Sequence, residues 1–197
     1  EDGIRDLVRS RGLGDVYKRQ LVMQGAGINM QRGAEELVQA MQYLPDCHLL
    51  LIGGGDVWDE LQRLAAHTGV SDRIQFFSRM PYQQMMAYTA AADLGLSLDK
   101  PTNINYRLSL PNKLFDYIQA GIPVLCSRLP ELEKIVSKFQ VGDFIADHNP
   151  QHIAESIHAL VSDENKLGTL KSNARLAATQ LNWEIEQNKL KIFLSHQ

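Results

Sequence analysis

The sequence predicts an α/β fold: a single doubly wound, Rossmann-like parallel sheet with helices on both faces and a helical C-terminus. Three observations predict it. Short apolar runs alternate with segments of helical spacing along most of the chain. One run, His48 to Ile52, is continuously apolar, as a strand buried on both faces must be. No linker or low-complexity tract interrupts the alternation, so the repeated βα pattern specifies parallel strands with covering crossovers in one domain.

Taken in order, Leu21-Val-Met-Gln-Gly25 is a short strand ending at glycine, and Ala34 to Tyr43 carries helical spacing through Leu37, Val38 and Met41. His48 to Ile52 is the next strand, followed by Gly53-Gly54-Gly55-Asp56 and a helix through Trp58, Leu61, Leu64 and Ala65. Arg73 to Phe77 reads as a strand, Gln83 to Ala91 as a helix and Asp93 to Ser97 as a strand. Asn112 to Ala120 is helical, Pro123 to Cys126 extended, Glu131 to Phe139 helical and Val141 to Ile145 the last strand. From His152 to Gln197 the pattern is helical, with breaks near Asp163 and around Asn182-Trp183. An apolar stripe on the last segment, Ile185, Leu190 and Phe193, is expected to stay partly exposed.

With 44% hydrophobic and 22% charged residues, 197 residues make an ordinary globular chain and exclude disordered and disulfide-stapled classes. A net charge of −3 argues against broad binding of nucleic acid or anionic lipid, so any anion must be held locally. Cys47 and Cys126 sit in apolar stretches without metal-ligand spacing and read as reduced thiols. No apolar run reaches the ~18 residues of a membrane span and no signal peptide is visible, so a cytoplasmic location is expected.

Residues 1–20 differ from the rest. They carry five basic and four acidic groups without a sustained period, and Asp15-Val-Tyr-Lys-Arg-Gln20 resembles a translated sequencing adaptor. They are set aside as a non-native lead, with a basic linker as the alternative. The remaining segment, 21–197, has 15 basic and 19 acidic groups.

In doubly wound sheets ligands bind beyond the carboxyl ends of the strands. That directs attention to the loops at 25–33, 53–56, 78–82, 98–112 and 127–130. The strongest candidate is Ser109 to Val124. Pro111 and Asn112 suit a helix start whose free N–H groups would hold an anion. Lys113 puts a cation where the helix dipole disfavours one, which a bound phosphate would explain. Asp116, on the first turn, could accept hydrogen bonds from a ribose diol. The plain alternative is a capped helix with Lys113 and Asp116 solvated. Gly25-Ala26-Gly27 with Arg32-Gly33 forms a second loop suited to phosphate, since Arg32 brings a charge-assisted fork. Gly53-Gly54-Gly55 reads as a tight turn. Ser78 to Tyr82 could offer backbone groups and an aromatic face to a base, and Asn103, Asn105, Tyr106 and Arg107 could contact sugar or phosphate. The histidines show no metal-binding spacing, and no metal is expected.

Together these pieces resemble the carboxy-terminal half of a GT-B glycosyltransferase of family 4, from Leu21 to about Lys191. The resemblance rests on Gln24-Gly25 with Arg32-Gly33, Leu51 to Gly55, Arg73 to Pro81, Ala92 to Leu96, and above all Leu110 to Tyr117 with Ala120 to Val124; Asn182-Trp183-Glu184 adds to it. It implies half of a GT-B architecture, the donor-binding domain of a retaining, hexosyl-type transferase, with a nucleotide-sugar donor and no cofactor. The acceptor domain would lie outside this chain, which alone would be inactive. The implied work is surface-polysaccharide or glycolipid assembly, which leaves room for peripheral membrane contact by the full-length enzyme.

Residue by residue, the resemblance puts Gly25 and Arg32 at the diphosphate, the backbone of Pro111, Asn112 and Lys113 at the distal phosphate, Asp116 at the ribose, and residues 79–82, with Arg79 and Met80, around the base. Two positions depart from the family pattern. Its pair of glutamates eight apart is represented by Leu108 and Asp116, and Ala26 replaces the arginine after the first-strand glycine. No catalytic residue is assigned. Competing readings are a nucleotide-sugar epimerase of the same fold and a non-catalytic nucleotide- or partner-binding module.

Overall fold

The computed structural model of the chain describes residues 18–182 and residue 187. Six parallel strands form one sheet among the described residues: β1 (Arg19–Gly25), β2 (Cys47–Gly53), β3 (Ile74–Ser78), β4 (Leu94–Ser97), β5 (Val124–Cys126) and β6 (Gly142–Phe144), in the spatial order β3-β2-β1-β4-β5-β6. The helices between and after them are α1 (Ala34–Ala40), α2 (Trp58–His67), α3 (Tyr82–Ala91), α4 (Ile104–Leu108), α5 (Asn112–Gln119), α6 (Pro130–Phe139), α7 (Pro150–Val161) and α8 (Glu164–Ala178). None is long and apolar enough to cross a membrane.

Alternation along the strands divides the core into two layers. Leu21, Met23, Leu49 and Leu51 point to one face and pack with Leu37 and Val38 of α1, Leu61 of α2 and Ile153 and Ile157 of α7. Val22, Leu50 and Ile52 point to the other and pack with Leu114, Tyr117 and Ile118 of α5, Leu132 and Val136 of α6, and Ala174 and Ala177 of α8. The continuous apolar runs of β1 and β2 are thus apolar because both faces are covered. Cys47 and Cys126 are free and buried, and burial pushes their thiols up to about 11 and about 12, which leaves them unreactive.

Element order and type follow the sequence expectation, with two differences. β1 begins at Arg19, so Arg19 and Gln20, expected in the lead, pair in register with Cys47 and His48. Gln20 donates its N–H to Asp93, and Arg19 pairs with Glu164, which explains why polar residues can open a buried strand. The stretch 98–112, expected as a loop, contains α4. Its signal was Asn103, whose side chain caps the helix by accepting from the N–H of Tyr106 at 2.9 Å. The expected stripe of Ile185, Leu190 and Phe193 lies outside the described residues.

Candidate anion and nucleotide cleft

The strand order reverses between β1 and β4, the position where parallel sheets of this kind open a crevice. A cleft of about 450 Å³ lies there. The end of β1 (Gln24, Gly25, Ala26), the start of α3 (Tyr82, Met85) and the first turns of α5 (Asn112, Lys113, Phe115, Asp116) line it.

The placement of α5 follows from Tyr117. Its ring is fully buried against β4, where Gly95 leaves the space, and its hydroxyl donates to the carbonyl of Leu96 at 3.0 Å and accepts from the N–H of Gln24 at 3.4 Å. One side chain therefore joins α5 to both strands that flank the crevice. Pro111 precedes the helix in extended conformation, no side chain among the described residues caps its N-terminus, and Asn112 and Lys113 line the cleft. The leading N–H groups of the helix thus open on a space suited to an anion.

Lys113 is not solvated. Its Nζ lies 3.1 Å from Oδ2 of Asp99, which stands two residues beyond β4 and is completely buried. The other carboxylate oxygen accepts from Nη1 of Arg32 at 2.8 Å, and the Arg32 guanidinium stacks on Tyr106 at 4.6 Å. Arg32 reaches Asp99 because its loop lies directly on the residues after β4: Gly33 is left-handed (φ 75°), a Cβ there would stand 2.4 Å from the carbonyl oxygen of Leu98, and the N–H of Lys100 donates to Gln31. Burial alone would raise the Asp99 carboxyl, but Lys113 and Arg32 outweigh it and hold it below the ordinary carboxylate range. Burial lowers Lys113 below a usual lysine despite Asp99. For Arg32 burial acts downward, but the bond and attraction to Asp99, together with Tyr106, outweigh it and raise it.

Asp116 forms a second cluster. One oxygen accepts from the Tyr82 hydroxyl at 2.9 Å and the other from Nε2 of Gln24 at 3.0 Å, while Oε1 of Gln24 accepts from Thr89 at 2.5 Å. Burial raises the Asp116 carboxyl above the ordinary range, and these two donors offset it only in part. The exposed Tyr82 ring stands at the mouth.

Of the residues singled out from sequence, Gly25, Asn112, Lys113 and Asp116 line one cleft. Arg32 joins it through Asp99, and Arg79 at its rim donates to the Ala26 carbonyl at 2.5 Å. Pro111 directs the helix, and Met80 packs against the apolar layer under α5 rather than lining the cleft. Gly53 and Gly55 serve the turn, since a Cβ at either would strike the β1 loop at about 2 Å from a carbonyl oxygen (1.9 Å to Gly25, 2.0 Å to Ile28). Sequence reasoning missed Asp99, Gln24 as the partner of Asp116, and Thr89. Only the position of Asp99 just past a strand end could have marked it.

The profile of the family "Glycosyl transferases group 1" matches residues 16–177. A D-inositol 3-phosphate glycosyltransferase of Xylanimonas cellulosilytica is 25% identical over 190 residues, covering 91% of this chain and 43% of that protein. A GDP-mannose-dependent alpha-(1-6)-phosphatidylinositol monomannoside mannosyltransferase of Mycolicibacterium smegmatis is 25% identical over 188 residues, covering 91% and 48%. The chain thus spans about half the length of the curated relatives it matches. Among solved structures, Anabaena Alr3699/HepE in complex with UDP and glucose superposes with a TM-score of 0.77 at 21% identity, over 99% of this chain and 53% of that one. The C-terminal domain of the group 1 family protein LpcC from Francisella tularensis superposes with a TM-score of 0.69 at 15% identity, over 90% of each. The fold is therefore that of the carboxy-terminal domain of GT-B transferases. A parallel sheet with a cation-bearing cleft at its switch point, and a family match extending over most of its length, place this chain among the group 1 glycosyl transferases.

Proposed function

We infer that the cleft binds the diphosphate and ribose of a nucleotide-activated sugar, and that the chain is the donor-binding half of a retaining, hexosyl-type transferase of family 4. The observation that carries this reading is Lys113 at the uncapped start of α5, with Arg32 tied to the same carboxylate and Asp116 one turn further on.

An anion at the helix start meets Lys113 and backbone N–H groups together, which favours the charge that develops on a leaving diphosphate as the glycosidic bond breaks. These groups supply that stabilisation without a metal. Asp116 accepts from the ribose diol in place of Tyr82 and Gln24, and Arg79 and the Tyr82 ring frame the base, with Met80 packed beneath them in the apolar layer. The relative named for GDP-mannose and the neighbour solved with UDP support guanine or uracil as that base. The acceptor is presented by a facing domain outside this chain, consistent with relatives of about twice its span. We place the full-length enzyme at the cytoplasmic side of surface-polysaccharide or glycolipid assembly.

Calorimetric titration with UDP, GDP and ADP tests this. At least one should bind, and Asp116→Ala and Lys113→Ala should each weaken it. A folded chain that binds none of the three removes the reading, and binding unchanged in both variants removes the site. The chain alone should transfer no sugar; measurable turnover would contradict the need for a facing domain.

A further inference from the structure

We propose that Asp99 is a positioning residue that acts as an internal counter-anion: it holds Arg32 and Lys113 together before an anion arrives, and its charge then limits how tightly they retain one. This deepens the reading above and rests on Arg32 and Lys113 being the anion-holding groups.

Arg32 and Lys113 belong to different parts of the chain, the loop after β1 and the start of α5, and as like charges they repel. Each is bonded to its own oxygen of Asp99, at 2.8 Å and 3.1 Å. Asp99 is fully buried, with the Ser97 hydroxyl 3.4 Å from Oδ2, so it cannot turn out to solvent. Lys113 lines the cleft, whereas Asp99 does not. An anion entering the cleft therefore meets Lys113 while the buried Asp99 still bonds its ammonium group, which then has two negative charges for neighbours. Nε of Arg32 is buried with no hydrogen-bond partner among the described residues, a donor that a small rotation of the guanidinium would bring into use. Two cations around one carboxylate leave a single net positive charge, less than a diphosphate carries. The site therefore attracts the group yet releases it more readily than two bare cations would.

A purely structural Asp99 and a counter-anion predict opposite outcomes. Removing a structural carboxylate should weaken every ligand. Removing a counter-anion should strengthen anion binding, because one like charge within a few ångströms disappears. The test uses the full chain with inorganic pyrophosphate as the probe, followed by calorimetry and thermal melting.

Asp99→Asn should melt below wild type in plain buffer, gain more thermal stability from pyrophosphate than wild type gains, and bind it more tightly by about tenfold or more. Equal or weaker affinity overturns the proposal, and so does an Asp99→Asn chain that stays unfolded in pyrophosphate, since the anion should then stand in for the lost charge. Lys113→Gln leaves a neutral Arg32–Asp99 pair beside the helix start; it should fold and respond to pyrophosphate more weakly than wild type, and an undiminished response also overturns the proposal. UDP, GDP and ADP are titrated in parallel. Tighter pyrophosphate binding without any nucleotide response leaves the counter-anion standing and removes the nucleotide reading. Nucleotide binding indifferent to Asp99→Asn does the reverse.

Discussion

Replacing Gly95 by alanine tests whether Tyr117 sets the position of α5. A Cβ at residue 95 would stand 2.4, 2.5 and 2.6 Å from three ring carbons of Tyr117, far inside contact distance. The ring cannot retreat freely, because it is fully buried and its hydroxyl is bonded to Leu96. Overpacking of this kind costs about 1–3 kcal/mol, and disturbing the buried hydroxyl bond adds a comparable loss, so about 2–4 kcal/mol is expected. For a domain of this size that is a fall in melting temperature of about 4–16 °C. Because α5 carries Asn112, Lys113 and Asp116, nucleotide binding should fall with it. The control is the same change in a Tyr117→Ala background, which removes the Cγ, Cδ1 and Cδ2 atoms that the new Cβ would strike. Gly95 is not in the left-handed region, so alanine there should be neutral or stabilising by about 0.4–1 kcal/mol through the unfolded chain. Urea unfolding of the four proteins gives the coupling. An equal loss from Gly95→Ala in both backgrounds would refute the role assigned to Tyr117.

Three further predictions concern the cleft. Gly33→Ala, at φ 75° with the Leu98 carbonyl 2.4 Å from the new Cβ, should cost at least about 1–3 kcal/mol in urea unfolding and weaken nucleotide binding by misplacing Arg32. Asp116→Ala should reduce UDP or GDP affinity about tenfold or more by calorimetry, the loss of charge-assisted hydrogen bonds to a diol. The third concerns pH. Burial raises the Asp116 carboxyl, so its protonated form is favoured in the folded state; that stabilisation is full below the ordinary carboxylate value and is lost as pH rises through the raised one. The ionised form is the acceptor, so nucleotide affinity should rise with pH through a point above the ordinary carboxylate range. Tyr82→Phe removes one donor to that carboxylate and should move the rise to higher pH; titrations across the acidic range read both profiles.

The fold was legible because each strand and helix announces itself within a few residues. Buried parallel strands must be apolar throughout, as His48 to Ile52 is, and amphipathic helices must repeat their apolar face, as Leu114, Tyr117 and Ile118 do. The cleft was partly legible for the same reason: strand-end loops and helix starts are local features, so Gly25, Asn112, Lys113 and Asp116 could be found one at a time.

What sequence could not supply was pairing across distance. Lys113 suggested a missing anion, and a protein anion sits beside it: Asp99, fourteen residues earlier in the chain and next to Arg32 from another loop. Asp116 suggested an acceptor waiting for a ligand, whereas Gln24 and Tyr82 already donate to it. The sequence by itself determined the order of elements, the two-layer core and the strand-end loops that carry the site, since burial and periodicity act through neighbouring residues. Only the tertiary structure decided which charges neutralise one another there. Coulombic and hydrogen-bond partners are set by distances of about 3 Å between loops, and sequence separation carries no information about those distances.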